Sequence, residues 1–110
     1  MRLPNSDRAV IAKSKITDYL LSFTHPYGRS KAKFFAQLGF SAANWRDLET
    51  ALRRLATDSE VTTASPTPYG KKYVIDGRLS APRNASATIR TVWFVETGED
   101  IPQFVTAYPL

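Results

Sequence analysis

The stretch from residue 25 to residue 35 holds the residue types best suited to chemistry. Pro26 fits the first position of a helix, and a helix leaves free N–H groups at the positive end of its dipole. Gly28 would let a ligand come close to this backbone. Three cations follow at alternate positions: Arg29, Lys31 and Lys33. The segment therefore predicts an anion site, most naturally for a phosphate group.

Lys31 differs from its two cationic neighbours because it shares a helical face with apolar residues. These lie three, four or seven positions away: Tyr27, Phe34, Phe35 and Leu38. The spacing directs Lys31 toward the rest of the fold and away from bulk water. Such a lysine either extends along its stem to reach solvent or stands in a functional cleft. Both alternatives stay open at this point.

His25 is the only histidine of the chain. Histidine is the side-chain type that titrates near neutral pH, so it is the natural proton carrier if the protein is a catalyst. A histidine before a proline is also commonly a helix-capping or surface residue. The sequence leaves these two roles open.

Several polar residues interrupt the apolar pattern of the second half of the chain: Lys71, Lys72, Arg90, Thr91, Thr106 and Tyr108. Strict alternation predicts that Phe104, Thr106 and Tyr108 share one face of a strand. Threonine and tyrosine are ordinary strand residues, and paired lysines are typical of exposed edges. Only the convergence of these residues on the start of a helix favours a functional site.

The hydrophobic period predicts the elements that carry these residues. Three helices are predicted. The first spans residues 15–22 and is capped by Ser14, and the second spans residues 26–38 and ends at Gly39. The third spans residues 41–56 and is capped by Ser41. The predicted strands span residues 61–64, 69–79, 85–96 and 101–108, with turns at 65–68, 80–84 and 97–100. The fold class is α+β, with about three N-terminal helices on one face of a C-terminal antiparallel sheet of about four strands. One domain is expected over residues 1–110.

Composition excludes several classes of protein. The chain has 110 residues, one histidine and no cysteine. It therefore lacks the residues for a disulfide scaffold, a thiolate zinc site, a cysteine nucleophile or a histidine-rich metal site, and no cofactor is expected. The start of the chain does not resemble a signal peptide, and no apolar run is long enough for a membrane span. A cytoplasmic protein with no membrane partner is expected.

The net charge of +5 is unevenly distributed. Residues 1–59 hold ten Lys/Arg and five Asp/Glu, whereas residues 60–110 hold five of each. The whole excess therefore lies on the helical half, where it would attract polyanions. A basic face that serves solubility alone is the alternative.

Four short motifs resemble the signature of an uncharacterised bacterial domain family. The motifs are Leu3-Pro4-Asn5-x-Asp7-x-Ala9-Val10-Ile11, His25-Pro26-x-Gly28-Arg29-x-Lys31-Ala32-x-Phe34-Phe35, Tyr69-Gly70-x-Lys72-Tyr73 and Val105-Thr106-Ala107-Tyr108-Pro109. The resemblance covers nearly the whole chain. This family is a domain of unknown function, found as small free-standing proteins and near toxin-type genes. The order of elements is also similar to that of the barnase–EndoU–colicin–RelE group of metal-independent ribonucleases.

The second resemblance implies RNA cleavage by attack of the 2′-hydroxyl group. That reaction needs a base, an acid and cations that stabilise the charge on the phosphate. The implied catalytic residues are His25, Lys31, Thr106 and Tyr108. The implied phosphate- or RNA-binding residues are Gly28, Arg29, Lys33, Lys72 and Arg90. His25 would act as base or acid, but one histidine excludes a mechanism with two.

The sequence therefore favours a small metal-independent ribonuclease-like toxin. Its partners would be RNA and a small antitoxin or immunity-type protein that covers the basic cleft. The alternative is a non-catalytic module that binds RNA or an acidic protein, and a structural domain is the third reading. Whether the chain is an enzyme stays open, as does its oligomeric state.

Overall fold

The computed structural model, which describes residues 1–82 and 85–110, has helices first and a sheet second. Its helical elements are a 3₁₀ turn at Ser6–Arg8, α1 at Lys13–Lys15, a π-helix at Ile16–Leu20, α2 at Arg29–Gln37, a 3₁₀ turn at Ala42–Asn44 and α3 at Trp45–Asp58. Its strands are β1 at Thr63–Thr67, β2 at Gly70–Ser80, β3 at Ser86–Glu96 and β4 at Gln103–Pro109. The predicted α+β fold class is confirmed.

The described residues form one four-stranded sheet in the order β1-β2-β3-β4, with every neighbouring pair antiparallel. One face of the sheet packs against the helices, and its residues include the fully buried Ile75 and Trp93. The N-terminal segment lines the free edge of β4, where Val10 forms a parallel bridge to Gln103. None of the helices in the described residues has the length and apolar character needed to cross a membrane.

The third helix follows the predicted pattern closely. Leu48, Leu52 and Leu55 are buried in the core, as a 3.6-residue period requires. Ser41 caps the 3₁₀ turn before it, through a reciprocal capping box with Asn44.

The first helix differs from the prediction. Helix α1 begins at Lys13 and passes directly into the π-helix, so Ser14 lies inside the helix and is not its cap. The amide of Leu21 donates to the carbonyl of Ile16 over 2.9 Å. This wider turn brings residues four and five positions apart to the same side. The buried residues Ile16, Leu20 and Leu21 all benefit from that spacing.

The second helix starts three residues later than predicted. Residues 26–28 form a turn, in which the amides of Gly28 and Arg29 donate to the His25 carbonyl over 3.2 and 3.1 Å. This turn closes before α2 begins. The predicted end is confirmed, because Gly39 follows the helix with a φ of 97° that favours glycine.

The first strand begins two residues later and ends three residues later than predicted, so the predicted turn at 65–68 is wrong. Pro66 lies inside β1 opposite Lys71. An edge strand tolerates proline because its missing N–H faces away from the sheet. In the predicted turn at 80–84, Arg83 and Asn84 lie outside the described residues.

A β-bulge overturns the predicted alternation of Phe104, Thr106 and Tyr108. Phe104 pairs with Trp93 in the core. Val105 is the extra residue of the bulge, so Thr106 and Tyr108 do not share the core face of Phe104. Thr106, on the edge strand β4, reaches the π-helix and contacts Tyr19.

Thr91 is a polar residue that belongs to the core. Its side chain is fully buried and donates from Oγ1 to the Ile75 carbonyl over 2.9 Å. The same Oγ1 accepts a hydrogen bond of 2.9 Å from Nε1 of Trp93. Thr91 therefore satisfies the buried indole N–H.

We expect Thr91→Val to lower the free energy of unfolding by about 1–3 kcal/mol, because valine keeps the volume but leaves the Trp93 N–H without an acceptor. Thr91→Ser keeps the hydroxyl and should cost about 1 kcal/mol, the value of one buried methyl group. Urea denaturation measures both. A valine variant as stable as wild type would contradict the role of this hydrogen bond.

Candidate functional site

Three of the predicted site residues meet at the ring of Tyr19, which the π-helix carries. The Tyr19 hydroxyl and the Thr106 Oγ1 are hydrogen-bonded, 2.9 Å apart. The His25 ring lies edge-on to the Tyr19 ring, with centroids 5.0 Å apart and planes inclined by 73°. The Lys31 ammonium lies 5.3 Å from the centroid of the same ring. Tyr19 therefore contacts three parts of the fold: β4 through Thr106, the loop between the π-helix and α2 through His25, and α2 through Lys31.

A groove of about 580 Å³ surrounds this ring, and we call it the Tyr19 groove. Its principal lining residues are Lys15, Asp18, Tyr19, His25, Tyr27 and Thr106. The Lys15 ammonium lies 5.7 Å from the ring centroid, so two cations face one aromatic ring. Both distances are within the range of cation–π interactions. The groove thus combines positive charge, hydroxyl groups and aromatic surface.

The His25 side chain is a cap for the turn that precedes α2. Its Nδ1 accepts hydrogen bonds from the amides of Tyr27 and Gly28, over 3.0 and 3.1 Å. Nδ1 must therefore be unprotonated, which leaves the proton of the neutral ring on Nε2. These two amides are not available to a phosphate, although the sequence predicted an anion site there. His25 can still donate a hydrogen bond from Nε2.

Gly28 has a packing role. It is buried, and a Cβ at this position would collide with the backbone carbonyl of Tyr19. The turn at 26–28 can therefore lie on the π-helix only because residue 28 is glycine. This close approach accounts for Gly28 without a bound ligand.

The three cations of α2 separate into two groups. Lys31 is half-buried, and its ammonium donates to the Tyr27 carbonyl over 3.2 Å. Arg29 and Lys33 are exposed. A spacing of two residues turns the direction of a side chain by about 200° on a helix, so of these three cations only Lys31 is directed toward the Tyr19 ring.

Arg90 and Tyr108 lie on the sheet face opposite the helices, outside the Tyr19 groove. Nε and Nη2 of Arg90 each donate to one carboxylate oxygen of Asp76 over 2.8 Å. The hydrogen bonds to Asp76 raise the pKa of Arg90. Tyr108, which pairs with Arg90 across β3 and β4, makes a smaller contribution in the same direction. The hydrogen bonds from Arg90 also lower the pKa of Asp76, against a smaller effect of burial. Lys72 is exposed on the same face.

The groove contains residues that the sequence analysis missed. Lys15, Asp18 and Tyr19 lie three and four positions apart, a spacing that places them on one side of a helix. Tyr19 lies at helical spacing from the apolar residues Ile16 and Leu20, so the sequence alone indicates a core position and gives no signal for its hydroxyl. Within the described residues, no group of three His, Asp or Glu side chains is close enough to hold a metal ion.

A second groove, of about 530 Å³, lies between α3 and the end of β2. Its charged residues are of both signs: Asp47, Arg54, Asp58 and Arg78. It contains none of the residues predicted for the site. Its two cations and two carboxylates balance, whereas the Tyr19 groove, with Lys31 beside it, has two cations and the one carboxylate of Asp18, which suits a polyanion better.

We expect the free energy of unfolding of Asp76→Asn to depend less on pH in the acid range than that of wild type. A lowered folded-state pKa contributes stability above the ordinary carboxyl pKa, and that contribution is lost as the pH falls. The variant should be less stable at neutral pH and lose less stability between about pH 5 and pH 2. Glu99→Gln, in the exposed turn after β3, is the control and should keep the wild-type slope. Equal slopes in both variants would contradict this role of Asp76.

Comparison with known proteins gives a family and a fold. The family model described as domain of unknown function DUF6883 matches residues 2–110. A chain of the contact-dependent growth inhibition toxin–immunity protein complex from Klebsiella pneumoniae 342 has a similar fold. The match has a TM-score of 0.73 at 13% identity and covers 94% of this chain and 95% of the other. Comparison with curated protein sequences gives no match.

Proposed function

The chain belongs to the DUF6883 family of domains of unknown function, and we propose that it is a small toxin domain that cleaves RNA at the Tyr19 groove. The observation that carries this proposal is the meeting of His25, Lys31 and Thr106 at one aromatic ring. The fold shared with a chain of a toxin–immunity protein complex supports the toxin role.

The charge of the groove supports RNA as the substrate. The excess of five positive charges lies within residues 1–59, which also supply most of the groove. The ammonium groups of Lys15, which lines the groove, and of Lys31, which lies beside it, are 5.7 and 5.3 Å from the centroid of the Tyr19 ring. Such a surface attracts polyanions and would bind the phosphates of a nucleic acid.

In the proposed reaction the 2′-oxygen bonds to phosphorus and the bond to the 5′-oxygen breaks, leaving a cyclic phosphate. The Asp18 carboxylate would accept the proton of the 2′-hydroxyl, and the Lys31 ammonium would give one to the 5′-oxygen. Lys15 would stabilise the developing negative charge. The Thr106 hydroxyl and Nε2–H of His25 would donate hydrogen bonds to the phosphate oxygens.

A toxin of this kind needs a partner that blocks it inside the cell that makes it. We propose an immunity-type protein with an acidic surface that covers the Tyr19 groove. The charge of the groove provides the complementarity that such a partner would use. The toxin–immunity complex of the structural relative supports this arrangement.

One observation favours a second candidate, a module that binds RNA without cleaving it. His25 uses Nδ1 to hold two backbone amides. The lone pair of Nδ1 is occupied by these two hydrogen bonds and Nε2 carries the ring hydrogen, so neither nitrogen has a free lone pair to accept a proton from a substrate. This removes the residue type best suited to proton transfer at neutral pH.

We expect purified protein to cleave RNA in the presence of EDTA and Lys31→Ala to lower the rate about 10²–10³-fold, because it removes the group proposed to protonate the 5′-oxygen. Lys33→Ala is the matched control, since it removes an exposed lysine from the opposite side of the same helix. Gel electrophoresis of a defined RNA measures both rates. If RNA stays intact with the wild-type protein, the proposed enzymatic activity is contradicted.

The variant His25→Asn tests whether His25 contributes to RNA cleavage in addition to capping the turn at 26–28. Asparagine is a good capping residue, and its side-chain oxygen can accept the amide hydrogen bonds that Nδ1 accepts. If His25 also binds phosphate through Nε2, the variant should keep its melting temperature and cleave about tenfold more slowly, the value of one lost hydrogen bond to a charged group. Unchanged cleavage would limit His25 to a capping role.

A further inference from the structure

The loop before α2 exposes an aromatic ring beside the Tyr19 groove. Tyr27 is 76% exposed, although it lines the groove and its ring centroid lies 6.0 Å from that of His25. The large aromatic residues of the core, such as Trp93 and Phe35, are fully buried. An exposed ring beside a polar, cationic groove is suited to a ligand that carries both charge and flat apolar surface.

The backbone that carries Tyr27 is held from both ends. Its amide donates to Nδ1 of His25 over 3.0 Å, and its carbonyl accepts from the Lys31 ammonium over 3.2 Å. At the start of the loop, Ser22 Oγ accepts from the amides of Thr24 and His25. The ring is therefore presented on an ordered backbone, which lowers the entropy cost of binding.

Lys31 connects the backbone of Tyr27 to the Tyr19 groove. Lys31 contacts the Tyr27 carbonyl and faces the Tyr19 ring, so a phosphate bound at Lys31 would lie beside the Tyr19 ring and the Tyr27 backbone. A base attached to that phosphate would be within reach of the Tyr27 ring. Aromatic side chains stack on bases that are unpaired, because in a duplex the faces of each base are covered by its neighbours.

We propose that Tyr27 is a stacking platform for an unpaired base beside the phosphate held in the Tyr19 groove. The protein then engages single-stranded or looped RNA in preference to duplex RNA. This inference rests on the proposed function for the class of ligand. It makes a separate claim about which form of RNA binds and which side chain selects it.

The chain offers a matched control for this ring. Tyr69, in the turn between β1 and β2, is 79% exposed and is not part of the groove. Tyr27→Ala and Tyr69→Ala thus remove equally exposed rings of the same type. Tyr27→Phe keeps a ring that can stack.

The experiment measures fluorescence anisotropy of a short labelled RNA whose 2′-O-methyl sugars prevent cleavage, alone and annealed to its complement. Wild type should bind the single strand more tightly than the duplex. Tyr27→Ala should weaken single-strand binding about tenfold, the usual effect of losing one stacked base. Tyr27→Phe and Tyr69→Ala should bind within about twofold of wild type. Thermal melting confirms that each variant is folded.

A strand of abasic ribose-phosphate units isolates the stacking contribution. Wild type and Tyr27→Ala should bind this strand equally, because no base is present for the ring to cover. Equal affinities of Tyr27→Ala and Tyr69→Ala for the single strand would overturn the proposal. Equal binding of single strand and duplex by wild type would also overturn it, even if the protein cleaves RNA. Absence of all RNA binding would contradict the proposed function and this inference together.

Discussion

The candidate site depends on the close approach of Gly28 to the backbone carbonyl of Tyr19. Any side chain at position 28 would collide with that carbonyl, so glycine alone lets the loop lie on the π-helix. In this position the loop presents His25 edge-on to the Tyr19 ring. It also starts α2 at the point from which Lys31 reaches the same ring. One backbone contact therefore brings together the aromatic ring, the histidine and the cation.

Two local irregularities lie at this site, within an otherwise regular fold. The π-helix carries Tyr19, and the β-bulge at Val105 turns Thr106 away from the core so that it meets the Tyr19 hydroxyl. Both features interrupt regular hydrogen bonding, and both are common near functional sites. Their departure from regularity at one shared contact supports a functional role for the Tyr19 groove.

The sequence predicted the parts of the fold that follow a regular period. The leucines of α3 and the long alternating strands β2 and β3 are examples. It could not predict the π-helix or the bulge, because both depend on packing between segments that are distant in the chain. His25, Lys31 and Thr106 were found from their residue types, whereas Tyr19 was not, since its ring fits an apolar stripe. Of the three cations of α2, Lys31 is the one directed toward the Tyr19 ring, because residues two apart point to opposite sides of a helix.

Polyanion binding at the Tyr19 groove is the central claim, and amide NMR spectra of isotope-labelled protein test it directly. Titration with non-cleavable single-stranded RNA should shift the amide signals of residues 14–19, 25–31 and 105–106. The open face of the sheet around Arg90 should change little. Shifts centred on Arg90 and Tyr108, or on the groove between α3 and β2, would contradict the assignment. Absence of any shift would contradict RNA binding altogether.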